Sequence, residues 1–332
     1  PAHGTWTDIV GAERVKHQRA RRAEMLKRYA NVDHDPEAIV PTTSYTDVAA
    51  PDMARIVPAR RADSPRAVSG TATPIAGTAA AVKTLDLGNG VTLDLVKLPG
   101  ANTFWMGRCE VSNQQYAQFD PAHDSGIEPG DFLQFSVAER GFPMDHPDQP
   151  VARVSWRRAD EFCRWLCAKS SLHVTLPTAK QWTLACRVGG TNDFWYGSAD
   201  TDFSTVANLA DHAYRHVATK GWDLPSGAIP AWRPAVTNCN DGFRVTAPVG
   251  KLAPSLWGLH DLHGNVAEWV ADVLPDGRRL SMGGSFADLP AQATATTARA
   301  YPEWRRVYNT GFRVLLIEPI VTTSTTAPES KP

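Results

Sequence analysis

The second half of this chain contains almost no helical periodicity, and this feature constrains the fold more than any other. After Arg187, short apolar runs alternate with Gly, Asn, Asp and Pro, so no long amphipathic helix can form there. The 332-residue chain nevertheless carries 11 Trp beside 24 Gly and 25 Pro. Large rings bury enough apolar surface to hold short irregular segments in place. We therefore predict an α+β fold with little regular secondary structure and many ordered loops.

The first half of the folded region carries clearer local signals. Alternating apolar and polar residues flank Gly88-Asn89-Gly90, which predicts a β-hairpin. Capping residues predict three helices, 113–119 after Ser112, 156–169 after Ser155, and 179–187 after Thr178. The segments PVARVSW (150–156), GGSF (283–286) and GFRV (311–314) are predicted as strands. Arg313, the lone arginine of the last segment, is expected to form an internal ion pair.

Composition divides the chain into four parts. Residues 1–40 are predicted as a basic helical arm, 41–83 as an extended Pro/Ala/Thr-rich linker, 84–318 as the folded domain and 319–332 as a tail. The basic helix at 12–29 has two interpretations. It is an arm for an acidic or phosphate-bearing partner, or a solvated helix on the main domain or a neighbouring chain, and the thin apolar stripe favours the second.

Charge and cysteine content exclude some classes of function. Lys and Arg total 34 against 35 Asp and Glu, so the net charge of −1 predicts no general attraction to nucleic acid or anionic membranes. No stretch approaches the roughly 18–20 apolar residues of a membrane span. The five cysteines are an odd number, so at least one is outside any internal disulfide. Cys163 and Cys167 share a helix face and are expected to be buried, whereas Cys109 and Cys239 lie in loops and are able to pair.

Six segments in the same order resemble the formylglycine-generating enzyme, or sulfatase-modifying factor, family. They are 104–119 (FWMGRCEVSNQQYAQF), 146–166, 176–190 (LPTAKQWTLACRVGG), 246–272, 282–286 (MGGSF) and 309–314 (NTGFRV). The resemblance covers about 230 residues and implies the fold of that family, a C-type-lectin-like α+β core with long ordered loops. Residues 1–80 lie outside it.

The loop LHDLHGNVAEW (259–269) is the best candidate for a metal site. Calcium takes six to eight hard oxygens, mixing carboxylates with main-chain carbonyls of an irregular loop. The alternative is that these polar residues only cap turns. The resemblance implies two structural calcium ions, and the matching positions are Asp261, Gly264, Val266 and Glu268 for the first and Asn208, Leu209, Asp241 and Phe243 for the second.

The resemblance also implies a redox centre that this sequence lacks. Formylglycine-generating enzymes hold copper(I) on two cysteines after the GGSF segment, and soft thiolates suit that ion. The matching positions are Asp288 and Ala293, and no cysteine follows Cys239. No copper is therefore expected. Ala267 also replaces the tryptophan that usually precedes the glutamate of the calcium loop.

Three functions are compatible with these observations. The favoured one is a catalytically silent, calcium-stabilised binding or structural subunit, with protein partners bound through the N-terminal arm and linker. A second is an oxidoreductase with a non-thiolate metal site, for which His260, His263 and Asp288 are an iron-ligand candidate. A third is a lectin-like recognition module in which Trp222 or Trp232 stacks on a ligand. Calcium is plentiful outside the cytoplasm, so we expect a periplasmic or secreted protein.

Overall fold

The computed structural model describes residues 81–99, 104–126, 144–214 and 235–318. The predicted N-terminal arm, most of the linker, the C-terminal tail, Trp222 and Trp232 lie outside these ranges. Within them, no helix combines the length and the apolar composition required to cross a membrane.

The described residues form two β-sheets and a few short helices. The strands are β1 (Val82–Gly88), β2 (Val91–Lys97), β3 (Phe104–Gly107), β4 (His173–Thr175), β5 (Ala267–Val273), β6 (Arg279–Met282), β7 (Ala298–Tyr301), β8 (Thr310–Gly311) and β9 (Leu315–Ile317). The helices are α1 (Asn113–Tyr116), α2 (Trp156–Ser170) and α3 (Ala179–Cys186), with a 3₁₀ turn at Pro290–Gln292.

The larger sheet has the order β1-β2-β3-β9-β4, and all its neighbouring strands are antiparallel. Its first two strands are the predicted hairpin, and Asn89 at the turn has a left-handed φ of 54°. Strand β1 begins at Val82, two residues before the predicted domain boundary, because Val82 and Lys83 pair with Val96 and Leu95.

The smaller sheet has the order β7-β6-β5-β8, in which only the β5–β8 pair is parallel. Between the two sheets lies an apolar core to which α2 contributes Phe162 and Leu166, both fully buried. Trp269 of β5 joins this core, and its indole Nε1 donates a hydrogen bond to the carbonyl of Val154 at 2.8 Å. An aromatic ring thereby anchors irregular backbone, as the composition predicts.

The helix starts agree with the predicted caps. The side chains of Ser112 and Thr178 each accept a hydrogen bond from the backbone amide of the third residue of their helix. Their own backbone amides donate in return to the side chain of that residue, which is the capping-box arrangement. Helix α1 stops at Tyr116, three residues before the predicted end. The amides of both Phe119 and Asp120 donate to the Tyr116 carbonyl, which closes a turn instead of extending the helix.

The predicted strands at 150–156 and 283–286 are wrong, and the one at 311–314 is a strand only at Gly311. In 150–156, Arg153 has a φ of 58°, which breaks the extended conformation. In 283–286, Gly283 and Gly284 have φ values of 88° and 67°, so the chain turns there. Residues 312–314 cross from β8 in the smaller sheet to β9 in the larger one. Arg313 therefore lies between the two sheets.

Candidate functional site

Arg313 forms the predicted internal ion pair, and its partner is Glu268. The Arg313 side chain is 0% exposed. Its Nε and Nη2 donate to both Glu268 oxygens over 2.6–2.9 Å, and Nη2 also donates to the carbonyl of His260 at 2.9 Å. The indole Nε1 of Trp182 donates to Glu268 Oε2 at 2.8 Å. Glu268, which was predicted for the first calcium site, thus already accepts hydrogen bonds from Arg313 and Trp182.

The two predicted calcium loops touch each other. Gly264, with a φ of 86°, lies so close to the second loop that an added Cβ would be 1.9 Å from the carbonyl oxygen of Asn208. That same oxygen accepts a hydrogen bond from the amide of Asn265 at 2.8 Å. Only glycine fits at position 264, because its backbone is left-handed and its neighbour is main chain. The structure therefore brings Asn208 and Leu209 against Gly264 and Asn265.

Three side-chain oxygens in these loops are buried without any hydrogen-bond partner in the described part of the chain. They are Asp261 Oδ1, Asn208 Oδ1 and Asp241 Oδ2. The other Asp261 oxygen accepts from the amide of Gly250 at 2.7 Å, and Asn208 Nδ2 donates to the Val245 carbonyl at 2.9 Å. A buried polar atom without a partner costs about 1–3 kcal/mol. All three belong to predicted calcium ligands, and hard oxygens are the donors that calcium takes.

Burial raises the pKa of several carboxyl groups here. The pKa of Asp241 rises to about 8 through burial and the neighbouring charge of Asp211. The pKa of Asp261 rises to about 6, chiefly through burial. Burial, then the charges of Asp261 and Glu268, raise the pKa of Glu110 well above its usual value. The surroundings of these carboxyl groups disfavour the ionised form and raise the pKa. A bound cation would favour the ionised form and lower the pKa again.

Two of these acidic residues were not among the predicted site residues. Asp211 accepts from the amide of Asp241 at 2.6 Å. It stands three positions after Asn208, and this proximity was the available sequence signal. Glu110 accepts from the amide of Val266 at 2.9 Å and from Asn265 Nδ2 at 2.7 Å. It lies about 150 residues upstream of that loop, so local spacing carries no signal for it.

The position that matches the first copper thiolate holds an ion pair. Asp288 accepts from the amide and the hydroxyl of Ser285 at 2.8 and 2.7 Å. Its two oxygens also bind the guanidinium of Arg299, through Nη1 at 2.9 Å and through Nη2. Asn309 Nδ2 donates to the Ser285 hydroxyl at 2.7 Å. The carboxylate at this point is hard and already neutralised.

The position that matches the second thiolate, Ala293, is buried in an apolar cluster with Cys239. Its carbonyl lies 2.7 Å from His263 Nδ1, and His263 Nε2 lies 3.4 Å from the sulfur of Cys186. A carbonyl only accepts, so Nδ1 carries the proton and Nε2 accepts from the thiol. Burial lowers the pKa of His263 to about 4 and raises that of Cys186. His263 and Cys186 therefore form a neutral, hydrogen-bonded pair in the core.

The iron-ligand candidate is not assembled. His263 faces Cys186, Asp288 is bound to Arg299, and His260 lines a cavity to which neither of the other two contributes. Across the described ranges, no group of three or more His, Cys, Asp and Glu side chains is arranged to hold a metal ion. A calcium site built from two side-chain oxygens and main-chain carbonyls requires no such group.

All five cysteines are free thiols, so the possible Cys109–Cys239 pair is not formed. Cys163 is buried as expected, and Cys167 is half-buried, with its sulfur 3.2 Å from the amide of Val174.

Alkylation of Cys109 is expected to be slow. Burial, reinforced by the charge of Asp261, raises the pKa of its thiol from 9.0 to about 12. Because the thiolate is the nucleophile, we expect iodoacetamide at pH 8 to label the native protein on the order of a thousandfold more slowly at Cys109 than the same protein in denaturant. Peptide mass spectrometry measures both rates on the same cysteine. Equal rates would contradict the shift.

Comparison with known proteins shows the family of the described domain. The family model described as "Sulfatase-modifying factor enzyme 1-like domain" matches residues 96–317. Bovine formylglycine-generating enzyme is 33% identical over 132 residues, 39% of this chain and 28% of that protein. The mouse protein described as "Inactive C-alpha-formylglycine-generating enzyme 2" is 32% identical over 143 residues, 42% of this chain and 38% of that protein. The match spans well under half of either relative.

Among solved structures, Treponema denticola variable protein 1 shares the fold, with a TM-score of 0.51 at 17% identity over 74% of this chain and 100% of that one. The fold and the site together define a loop-rich α+β domain of the formylglycine-generating type. The chain belongs to the sulfatase-modifying factor enzyme 1-like family. The predicted fold class is therefore confirmed.

Proposed function

We propose that this protein is a catalytically silent member of its family, acting as a calcium-stabilised binding or structural subunit of a larger assembly. The observation that carries the proposal is the Asp288–Arg299 pair, which stands where a copper thiolate would be needed. Copper(I) prefers sulfur donors, whereas this carboxylate offers hard oxygen that a guanidinium already neutralises. Ala293 at the second position offers no side-chain donor.

The relatives are compatible with the proposal that this protein is catalytically silent, but they do not decide it. The chain matches formylglycine-generating enzymes and proteins described as inactive at similar identity, 33% for the bovine enzyme and 32% for the inactive mouse protein. The proposal of catalytic silence therefore depends on the residues of this chain itself. Asp288 and Ala293 remove both thiolates, and no later cysteine supplies another.

Calcium is proposed at two adjoining sites. Asp241 and Asn208 would hold one ion, aided by the carbonyls of Leu209 and Phe243. Asp261, aided by the carbonyls of Gly264 and Val266, would hold the other. The unpartnered oxygens of Asn208, Asp241 and Asp261 support this assignment.

Glu268 departs from the proposed ligand set. Its carboxylate is bound to Arg313 and Trp182, so it would contribute to a calcium site only while keeping those hydrogen bonds. Calcium would tie together loops that have little regular hydrogen bonding of their own.

The assembly role rests on chain organisation. The predicted basic arm at 1–40 and the linker at 41–83 extend beyond the matched domain, and we propose that they bind a protein partner. Balanced net charge argues against nucleic acid as that partner. A calcium-dependent fold favours a periplasmic or secreted location. Protein purified from its native source tests the subunit role: co-purifying chains are expected, and a lone monomer would contradict it.

Copper(I) binding and peptide oxidation test directly whether this protein is catalytically silent. We expect the wild-type protein to bind no stoichiometric copper(I) at this position and to leave a peptide cysteine unoxidised. The Asp288→Cys/Ala293→Cys variant restores the sulfur donors and is expected to gain one tightly bound copper(I), measured by competition with a chromogenic chelator. Cys239→Ser serves as the control for adventitious thiol binding. Copper-dependent oxidation of the peptide by the wild-type protein would refute the proposal.

A further inference from the structure

A fully buried asparagine, Asn265, lies between the two proposed calcium sites. The Asp261 site consists of Asp261, Gly264 and Val266. The Asn208 site consists of Asn208, Leu209, Asp241 and Phe243. Asn265 supplies a ligand to neither site. It stands between two residues of the Asp261 site along the chain, and its side chain contacts a residue of the Asn208 site.

The main chain of Asn265 links the two sites directly. Its amide donates to the carbonyl oxygen of Asn208 at 2.8 Å, and Asn208 and Gly264 form a parallel β-bridge. Its own carbonyl accepts from the amide of Phe286 at 3.0 Å. Its φ of 56° lies in the left-handed region, which asparagine adopts more readily than most residues. A shift of 264–266 would therefore strain or break the bond to Asn208.

The side-chain amide of Asn265 has one orientation that satisfies its neighbours. Its Oδ1 accepts from the amide of Ala247 at 2.9 Å, and its Nδ2 donates to Glu110 Oε2 at 2.7 Å. A main-chain amide only donates, so Oδ1 must face Ala247 and Nδ2 must face Glu110. Glu110 Oε1 accepts from the amide of Val266 at 2.9 Å. One carboxyl group thus holds both the Asn265 side chain and the next peptide group of the Asp261 site.

Asn265 in turn orients the side chain of Asn208. Asn208 Nδ2 donates to Asn265 Oδ1 at 3.2 Å and to the carbonyl of Val245 at 2.9 Å. Both partners are acceptors, so Nδ2 must face them and Oδ1 is turned away from them. This Oδ1 is the buried oxygen that has no hydrogen-bond partner in the described part of the chain. Asn265 consequently fixes which atom Asn208 offers to a calcium ion, and that atom is a hard oxygen.

We propose that Asn265 is a positioning residue that couples the two calcium sites, so that an ion in one site raises the affinity of the other. This inference rests on the proposed function, because it requires calcium at both sites. An ion at Asn208 Oδ1 draws electron density from that amide and strengthens the donation of Nδ2 to Asn265. It also fixes the segment to which 264–266 is bonded, so the second ion meets a loop that is already ordered. This ordering has to exceed the repulsion between the two ions, which the carboxylates of Asp241 and Asp261 reduce.

Calcium itself is the probe for the test. Competition with a chromophoric chelator gives the calcium association constants of the full chain. Asp241→Asn disables the Asn208 site and Asp261→Asn disables the Asp261 site, so each variant reports the constant of the remaining site alone. The coupling ratio is the product of the two wild-type constants divided by the product of the two single-site constants. It equals one for independent sites, and we expect at least about fivefold, the lower end for coupled sites.

Asn265→Gly tests the residue itself. Glycine adopts the left-handed φ and keeps the main-chain bond to Asn208, but it lacks the amide that orients the Asn208 side chain. Measured in this background, the coupling ratio should fall below about twofold. A merely structural role would weaken the binding of both ions and leave the ratio unchanged. Asn89→Gly is the matched control, because Asn89 is also left-handed, with a φ of 54°, but lies at the exposed hairpin turn. It should keep the wild-type ratio.

A wild-type coupling ratio of one would overturn the proposal, as would a ratio that Asn265→Gly leaves unchanged. If Asn265→Gly does not fold, Glu110→Gln is the second variant. It replaces one acceptor oxygen with a donor and loosens Asn265, so it should also lower the ratio, and an unchanged ratio would count against the coupling. Independent binding of two ions would leave the proposed function intact. A wild-type protein that binds no calcium would refute both the calcium sites and their coupling.

Discussion

Replacing Arg313 with methionine is expected to lower the free energy of unfolding by about 3–5 kcal/mol. The guanidinium is completely buried, and it neutralises Glu268 while binding the main-chain carbonyls of Gly107 and His260. Its loss leaves a buried carboxylate uncompensated at the point where the chain crosses between the two sheets. Denaturant titration followed by tryptophan fluorescence measures the change.

Two controls separate the buried pair from a general loss of charge. Arg157→Met removes an exposed ion pair with Glu303, and it should cost less than about 1 kcal/mol. The Arg313→Met/Glu268→Leu double variant removes both charges and should recover part of the loss. If Arg313→Met costs no more than Arg157→Met, the buried pair does not stabilise the fold beyond an exposed ion pair.

Removing calcium is the second change with a large expected effect. A ligand at 100 times its dissociation constant stabilises the native state by about 2.7 kcal/mol for each site. We therefore expect excess chelator to lower the melting temperature clearly. Asp241→Asn and Asp261→Asn should each remove part of the calcium-dependent stabilisation, whereas Asp276→Asn, an exposed turn carboxylate, should remove none. Equal melting of the wild-type protein with and without calcium would exclude structural calcium.

The effect of calcium should depend on pH. The native pKa of Asp241 is raised to about 8 and that of Asp261 to about 6, above the unfolded value near 4. Without calcium, the native state keeps protons that the unfolded chain has released, so stability falls as pH rises from about 4 to 8. Calcium competes with those protons, and its stabilising effect should therefore grow over the same interval. Melting curves at pH 5 and pH 8, with and without calcium, measure the difference.

Local signals in the sequence predicted the hairpin and the helix starts, which local interactions control. The hairpin at Gly88-Asn89-Gly90 and the helix starts at Ser112 and Thr178 need only neighbouring residues, and all three are present. The strand prediction at 150–156 failed because alternation of residue types does not reveal a left-handed residue such as Arg153. The prediction at 283–286 failed because Gly283 and Gly284 both have positive φ values and turn the chain.

For the candidate sites too, the sequence predicted some features, and others depend on contacts between distant segments. Spacing and the resemblance predicted Asp261 as a calcium ligand, and the resemblance alone predicted Asn208. The structure adds that each has an unpartnered buried oxygen. Spacing did not indicate that Glu268 is bound to Arg313 and Trp182, nor that Glu110 reaches the same loop. Those contacts depend on how distant segments pack.

The absence of cysteine after Cys239 was a property of the sequence alone, since folding cannot change which residues stand at positions 288 and 293. The tertiary structure decided which side chains meet. It paired Asp288 with Arg299 and placed Asn265 beside Asn208, 57 residues away along the chain. Residue identity determines which chemistry is available, whereas contacts between distant residues form only where the packed sheets and loops bring their backbones together.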